Sequence, residues 1–407
     1  MKILLITLNY SPEIVGIGKY SSEMAEWLDN IGHDVNVICA PPYYPEWKVH
    51  AGWSAFWYSK ETINNVSVIR CPILVPKRPS GVKRILHLLS FWFSSFPVIL
   101  SNVFWKPDLV ITIEPPFFCA TSALLLTKLS KSKAILHIQD FEVDAAFELG
   151  LLKSKYLRGL ISKVERNLLS KFDCVSTISP KMLEKLSEKE VSPKNQYLFT
   201  NWVDTNLISK LNSPSEYIDQ LGLSADSKVL LYSGNMGNKQ GLEIIISAAK
   251  KLETEKNIVF LLCGEGSAKS KLQDMASDLS NIIWLPFQPL DRLNQFLGLA
   301  TVHLLPQAKE AADLVMPSKL TGMLSSGRPI IATAAIDTQV GEIVSKCGIL
   351  VPPDDLVALV NAIIMLINDD DLCQKFGIMA RDIAEKELDI HSVLSRFDNK
   401  IKNLISH

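Results

Sequence analysis

Short apolar runs alternate with stretches of helical spacing along this chain from one end to the other, and that rhythm limits the folds open to it. Runs at Lys2–Leu8, Asp34–Ala40, Val66–Pro72, Asp108–Glu114, Lys133–Asp140, Asp173–Ile178 and Gln196–Asn201 read as buried strands. The pattern then restarts at Lys228–Gly234, Asn257–Gly264, Ile282–Phe287, Val302–Pro306, Pro329–Ala334 and Ile349–Pro352. Apolar runs of about four to eight residues with helices between them predict parallel sheets covered on both faces. The expected class is therefore α/β, with two Rossmann-like, doubly wound parallel-sheet domains. The polar stretch from Asp204 to Ser227 separates the two series and reads as a linker. Two such domains would face a shared cleft with their strand C-termini, where ligands of doubly wound sheets bind.

Composition narrows the function. The chain has 407 residues, 47% of them hydrophobic and 21% charged, with a net charge of −1. Large cores are possible, and a nucleic-acid partner is not expected, since that needs a basic surface. The seven cysteines are scattered, with no CxxC or Cys/His ligand spacing. They read as reduced core thiols of a cytoplasmic protein, not as a disulfide or zinc framework. The N-terminal run reads as a first strand and lacks a small-residue cleavage site, so a secretory signal is not expected.

One stretch breaks the rhythm. Ile85 to Trp105 holds no Asp, Glu, Lys or Arg; Lys77, Arg78, Lys83 and Arg84 precede it and Lys106 follows. It is long enough to cross a bilayer. Strands on both sides of it argue against crossing, and Pro97 weakens a straight span. Segment 85–105 is expected to lie half-embedded in a membrane surface, with a buried core helix as the other reading.

The polar residues that could carry chemistry sit where strands end. After the first strand, Gly16 and Gly18 precede a helix; they either allow close backbone approach to a ligand or make a simple βα turn. The spacing is not that of a dinucleotide fingerprint, because Ser21 stands three residues after Gly18. In LHIQDFEVD, His137, Gln139 and Asp140 close a strand; alternation puts Gln139 on the face of His137, and Asp140 either caps the next helix or faces a substrate. In the second series, YSGNMGNKQG brings Asn235 and Lys239 into a glycine-rich turn, LCGEGS brings Gly264 and Gly266, and PFQP brings Phe287 and Gln288. The stretch EAADLVMPSKLTGMLSSGRP follows the next strand. Its Pro317 suits a first helical turn, and Leu320, Met323 and Leu324 make an inner face. Free N–H groups beside Ser318 and Lys319 make a ready anion site. Together these turns predict one cradle for a nucleotide diphosphate. Asp354–Asp355 and Asp369–Asp371 read as capping turns, and no strand-end DxD, GxSxG or P-loop pattern occurs.

These residues resemble a known family. The second half is similar to the retaining GT-B glycosyltransferases of family 4. NYSPEIVGIGKYSSEMAEWL, APPYYPEWKV, RCPILVPKRPS, LHIQDFEVDA and MPSKLTGML sharpen this toward transferases of colanic acid synthesis. The resemblance implies an acceptor-side domain over 1–203, a linker at 204–227, a nucleotide-sugar domain over 228–385, and a C-terminal helix over 386–407 that returns to the first domain. It implies a nucleotide-diphosphate sugar as donor, GDP-fucose being one pointer, with no metal or other cofactor. The implied partners are a polyprenyl-diphosphate-linked saccharide as acceptor and the inner face of the cytoplasmic membrane, in exopolysaccharide or O-antigen synthesis. A nucleotide-sugar epimerase or hydrolase of the same fold, or a non-catalytic membrane scaffold, are the alternatives.

The chain departs from the family at defined positions. Counted back from Gly327-Arg328-Pro329, the family's two glutamates fall on Leu314 and Gly322, and its basic pair falls on Asn235 and Gln240. The active-site histidine falls on Gln139. Lys239, Lys319, Asp313 and Asp140 are thus the expected catalytic set, with Lys319 supplying the missing positive charge. Gly16, Gly18, Tyr43, Tyr44, His137, Gln139, Asn235, Gly264, Gly266, Phe287, Gln288, Leu314, Val315, Ser318 and Thr321 are the expected substrate contacts.

Overall fold

The computed structural model describes the chain except for residues 14–15, 78–80, 149–154, 238–239, 309–316 and 407; inside helices, the side chains of 145, 146, 148 and 155–157 are also outside the description. Contacts divide the chain into two units: Met1–Thr200 with Leu394–His407, and Asn201–Val393.

In the first unit the opening strand Lys2–Ile6 (β1) is buried at every position after Lys2, as a central strand covered on both faces must be. It is followed by Gly16–Asn30 (α1), Asp34–Cys39 (β2), Ser59–Ile63 (β3), Val66–Arg70 (β4), Gly81–Ser101 (α2), Leu109–Glu114 (β5), Cys119–Ser130 (α3) and Lys133–Ile138 (β6). Glu142–Glu148 (α4), Lys155–Leu169 (α5), Cys174–Thr177 (β7), Pro180–Glu188 (α6) and Gln196–Leu198 (β8) complete the series. The eight strands lie in the order β3-β4-β2-β1-β5-β6-β7-β8. Every pair is parallel except β3–β4.

The all-parallel expectation therefore fails at one edge. β3 and β4 form a hairpin turned by Asn64 and Asn65, both at positive φ, as a tight two-residue turn requires. β3 reads SKETI and has no buried position, so no apolar run marks it. The expected strands also ran one to three residues past the ends of several observed ones. Polar residues such as Gln139, Asp140 and Asn201 leave the sheet for the turns that follow.

The second unit runs Tyr217–Gln220 (α7), Lys228–Ser233 (β9), Glu243–Lys251 (α8), Ile258–Cys263 (β10), Lys269–Met275 (α9), Ile282–Leu285 (β11), Leu293–Gly298 (α10) and Val302–Pro306 (β12). It continues with Ser318–Ser325 (α11), Ile330–Thr333 (β13), Gln339–Cys347 (α12), Gly348–Val351 (β14), Leu356–Ile367 (α13) and Asp370–Ile383 (α14), and the chain ends in Ile390–Ser406 (α15). Six parallel strands lie in the order β11-β10-β9-β12-β13-β14. One apolar layer, with Leu231, Leu261, Leu320 and Leu324, lies on one side of this sheet. The other, with Leu230, Phe260, Ile246 and Ile363, lies on the opposite side. The stretch read as a linker carries Ile208 and Tyr217 into the first of these layers, and the Ser215 hydroxyl donates to the Gln295 carbonyl at 2.7 Å.

Two consequences locate the chemistry. Strand order reverses between β1 and β5 in the first unit and between β9 and β12 in the second. At such a switch point the two following loops turn to opposite faces and leave a crevice beyond the strand ends. Leu394–His407, with most of α15, belongs to the first unit, and within that unit Asp398 meets His33 at 2.8 Å. The seven cysteines are all free, six of them buried; burial pushes Cys39 and Cys119 up to about 12, so they remain thiols.

Candidate functional site

At the switch point of the second unit, the β9–α8 turn is knitted to the β10–α9 turn by backbone bonds. Gly234 N–H donates to the Cys263 carbonyl at 3.0 Å and Met236 N–H to the Glu265 carbonyl at 2.8 Å. Ala268 N–H returns to the Met236 carbonyl at 2.9 Å. The glycines are there because the two turns touch. Gly264 has φ +146, and a Cβ on it would lie 1.9 Å from the Gly234 carbonyl oxygen. A Cβ on Gly266 would lie 2.4 Å from the Met236 carbonyl oxygen. On the other side, Gly241 packs against the backbone of Gln307 and Ala308 at the end of β12. Asn235 is exposed on the rim of this turn.

Lys319, in the first turn of α11, reaches into the same place. Its ammonium donates to Gln240 Oε1 at 3.0 Å and to the Tyr232 hydroxyl at 3.3 Å, and lies 4.5 Å from the Tyr232 ring centre. A Cβ on Gly234 would stand 3.1 Å from Lys319 Cδ. The Tyr232 hydroxyl in turn donates to the Asn235 carbonyl at 2.6 Å. An ammonium from the loop after β12 is thus held within hydrogen-bond distance of Gln240, in the turn after β9. Ser318 is exposed beside it. Thr321 is buried and its hydroxyl donates to the Ser318 carbonyl at 2.8 Å, so it stabilises the helix start and does not face a ligand. Gln288 is bonded to the Tyr217 hydroxyl at 2.7 Å, while Phe287 is 45% exposed. The space a side chain would need at Gly322 is bounded by Leu297, 3.2 Å from an added Cβ. Lys239, Asp313, Leu314 and Val315 lie outside the described residues. Among the described residues no group of three or more His, Cys, Asp or Glu could hold a metal ion.

In the first unit the residue that organises the loop after β1 is Glu13, which the sequence reading passed over. It is 3% exposed. Its Oε1 accepts from the backbone N–H of both Tyr43 and Tyr44 at 2.8 Å, and its Oε2 accepts from Asn9 Nδ2 at 2.8 Å. Burial raises its pKa against the lowering effect of these bonds. Gly18 is glycine because Glu13 stands over it: an added Cβ would meet Glu13 Cβ at 2.9 Å. Close approach is therefore the right reason for Gly18, but the approaching group is the protein's own. Gly16, at φ +58, has open space around it. The tyrosine pair divides: Tyr43 is buried with its hydroxyl 2.9 Å from His87 Nε2, and Tyr44 is 37% exposed. An isolated acid in a βα loop just ahead of two glycines was the available sign of Glu13.

The end of β6 also corrects the reading of its histidine. His137 is 2% exposed; burial pulls it down to about 3, so the ring stays neutral. Its Nδ1 pairs with the Ser176 hydroxyl at 3.0 Å and its Nε2 with the Gln139 amide at 2.9 Å. His137 thus orients Gln139, on the shared face that alternation gave, and does not itself reach solvent. Asp140 is exposed one residue on. Two further acids close this edge. Glu142 Oε2 accepts from Phe117 N–H at 2.7 Å, and the fully buried Glu114 accepts from Glu142 N–H at 3.2 Å. Desolvation raises both acids, Glu114 well above the usual carboxylate range.

Known proteins share this architecture. The family model described as "Glycosyl transferase 4-like domain" matches residues 15–202, and "Glycosyl transferases group 1" matches residues 227–369. WcaI of Escherichia coli (strain K12), named as a glycosyl transferase of colanic acid biosynthesis, is 42% identical over 99% of this chain and 100% of its own. Among solved structures, sucrose-phosphate synthase from Thermosynechococcus elongatus superposes with a TM-score of 0.77 at 17% identity, covering 100% of this chain and 99% of that one. Anabaena HepE, solved with UDP and glucose, superposes with a TM-score of 0.69 at 16% identity, covering 99% and 100%. Two parallel-sheet domains of GT-B type and a full-length relative at this identity lead to one conclusion: the chain belongs to the group 1, family-4-like glycosyltransferases.

Proposed function

We propose that this glycosyltransferase moves a sugar, with retention of its anomeric configuration, from a nucleotide-diphosphate donor to a polyprenyl-diphosphate-linked saccharide. The reaction would serve exopolysaccharide synthesis of the colanic acid kind, on the inner face of the cytoplasmic membrane. The observation that carries this reading is the reach of Lys319 to Gln240 beside the interlocked glycine turns. Breaking the bond from sugar to diphosphate leaves negative charge on the leaving oxygen. A fixed ammonium and oriented backbone N–H groups, already in position, stabilise that charge without reorganisation. Lys239 adds the second cation, and Ser318 and the start of α11 bind the same phosphates. Gly264, Gly266, Asn235, Phe287 and Gln288 border the nucleotide, and Asp313 with Leu314 and Val315 holds the donor sugar.

On the acceptor side, Glu13 fixes the backbone that presents Tyr44 and the Gly16 turn to the incoming saccharide. Gln139 and Asp140 meet the reacting sugar, with His137 as the support of Gln139. No enzymic nucleophile is invoked: the acceptor hydroxyl enters on the face the leaving group quits. The likeness to WcaI supports an exopolysaccharide acceptor, and GDP-fucose is the first donor to try. The test is a donor panel incubated with and without polyprenyl-diphosphate saccharides, the product read by NMR at the anomeric carbon. Acceptor-dependent transfer with retention is expected. Donor breakdown that ignores the acceptor, or an inverted product, would sink the reading.

A further inference from the structure

The outward surface of the first unit carries an apolar platform much wider than one helix. On α2, His87, Phe91, Ser95 and Ile99 recur every fourth residue on the buried side. The opposite side carries Val82 (68% exposed), Leu86 and Phe93 (69%), and after Arg84 it bears no charge at all. A helix on an ordinary soluble surface would put charged side chains there. Beside its middle lies a loop with three consecutive exposed aromatics, Phe56, Trp57 and Tyr58, the first two 76% exposed. That loop is tied to α2 by the Tyr58 hydroxyl, which donates to the Ser94 carbonyl at 2.9 Å. On another side of α2, Trp92 donates to the Ser122 hydroxyl at 2.9 Å and lies 6.2 Å from the Phe118 ring. This brings up α3, whose exposed Leu125 and Leu129 continue the apolar surface.

Along α2, α3 and their flanks the charge has one sign. No Asp or Glu occurs from Leu74 to Pro107 or from Pro115 to Gln139. Lys77, Lys83, Arg84, Lys106, Lys128 and Lys131 are exposed there. Exposed tryptophan and tyrosine with apolar side chains and a basic border are the chemistry of an anionic lipid surface, where rings sit at headgroup depth and lysines meet phosphates. Resting on the membrane-face reading above, we propose that α2, α3 and the 56–58 loop together form the membrane-docking face, with Phe56 and Trp57 as its inserting residues. Neither the loop nor α3 belongs to the segment whose composition suggests a membrane helix.

The test is flotation of the full chain with vesicles of phosphatidylcholine alone or with about 30% phosphatidylglycerol. Wild type should float with the anionic vesicles, and less so with neutral ones or in high salt. The F56S/W57S double variant should lose vesicle binding by about tenfold or more, as should K83E/R84E. I336S, which alters an apolar residue of the second unit that is 72% exposed, should float like wild type. Nucleotide-induced thermal shifts measured on the same variants should be unchanged, which separates failure of this face from failure of the catalytic reading. Equal flotation of F56S/W57S and wild type, or no vesicle binding by wild type, overturns the proposal. So does a dimer in light scattering that F56S/W57S dissociates while vesicle binding is absent, since that gives the face to a second copy of the chain.

Discussion

Replacing Gly264 with alanine tests whether the two turns of the second unit are interlocked as described. The added Cβ would stand 1.9 Å from the Gly234 carbonyl oxygen, whereas ordinary contact begins at 3.4 Å. The turns must therefore part by about 1.5 Å. That displacement acts on the bonds from Gly234 N–H to Cys263 and from Met236 N–H to Glu265, made at 3.0 and 2.8 Å. Weakening two buried backbone bonds costs about 1 kcal/mol each. Holding alanine at φ +146 adds a further 1–3 kcal/mol, roughly. The expected loss is about 3–5 kcal/mol, together with loss of nucleotide binding. Gly237 in the same turn supplies the control: its added Cβ meets only Asn235 Nδ2, at 3.4 Å, so Gly237→Ala should change stability by less than about 1 kcal/mol. Urea unfolding followed by circular dichroism measures both. Equal midpoints for the two variants would refute the interlocking argument.

The buried titratable groups give further predictions. Glu13→Ala leaves the N–H groups of Tyr43 and Tyr44 without their acceptor and should cost about 2–4 kcal/mol. Glu13→Gln keeps an acceptor and should be nearly neutral. Because burial raises the folded-state pKa of Glu13, its ionisation opposes folding. Wild type should therefore lose stability relative to Glu13→Gln as pH rises from the ordinary carboxylate range through the raised pKa; parallel pH profiles in urea unfolding would contradict this. His137 and His303 are held neutral, pulled down to about 3 by burial, so the unfolded chain binds protons that the folded chain refuses. Stability should fall as pH drops from about 6.5 toward 3, by about 1.4 kcal/mol per pH unit for each histidine. His137→Gln should remove one proton's worth of that slope, and an unchanged slope would place the proton uptake elsewhere.

Much of the fold could be read from the chain because buried parallel strands must be apolar along their whole length. β1, β9 and β12 show this plainly. β3 could not be read: an edge strand open to water needs no apolar residue, and SKETI has only a final isoleucine. At the site, glycines at strand ends marked close approach correctly but not what approaches. Gly264 and Gly266 yield to a neighbouring backbone, and Gly18 yields to Glu13. Lys319 stands out in the sequence because a basic residue at a helix start is a local signal. Its partner Gln240 lies far off in sequence, and only the β9–β12 adjacency brings the two together. Thr321 sits at the right edge of the sheet, but its side chain turns inward to a bond that no local pattern announces.

The central claim is that Lys319 supplies the charge that meets the donor diphosphate. Thermal shifts of wild type, Lys319→Ala and Lys319→Arg with UDP, GDP, dTDP and CMP test it most directly. One nucleoside diphosphate should stabilise wild type by about 2.7 kcal/mol at a hundred times its dissociation constant. Lys319→Ala should lose most of that shift, and with the matching donor its kcat should fall about 10²–10³-fold. A Lys319→Ala protein that responds to nucleotide and turns over donor like wild type would contradict the account.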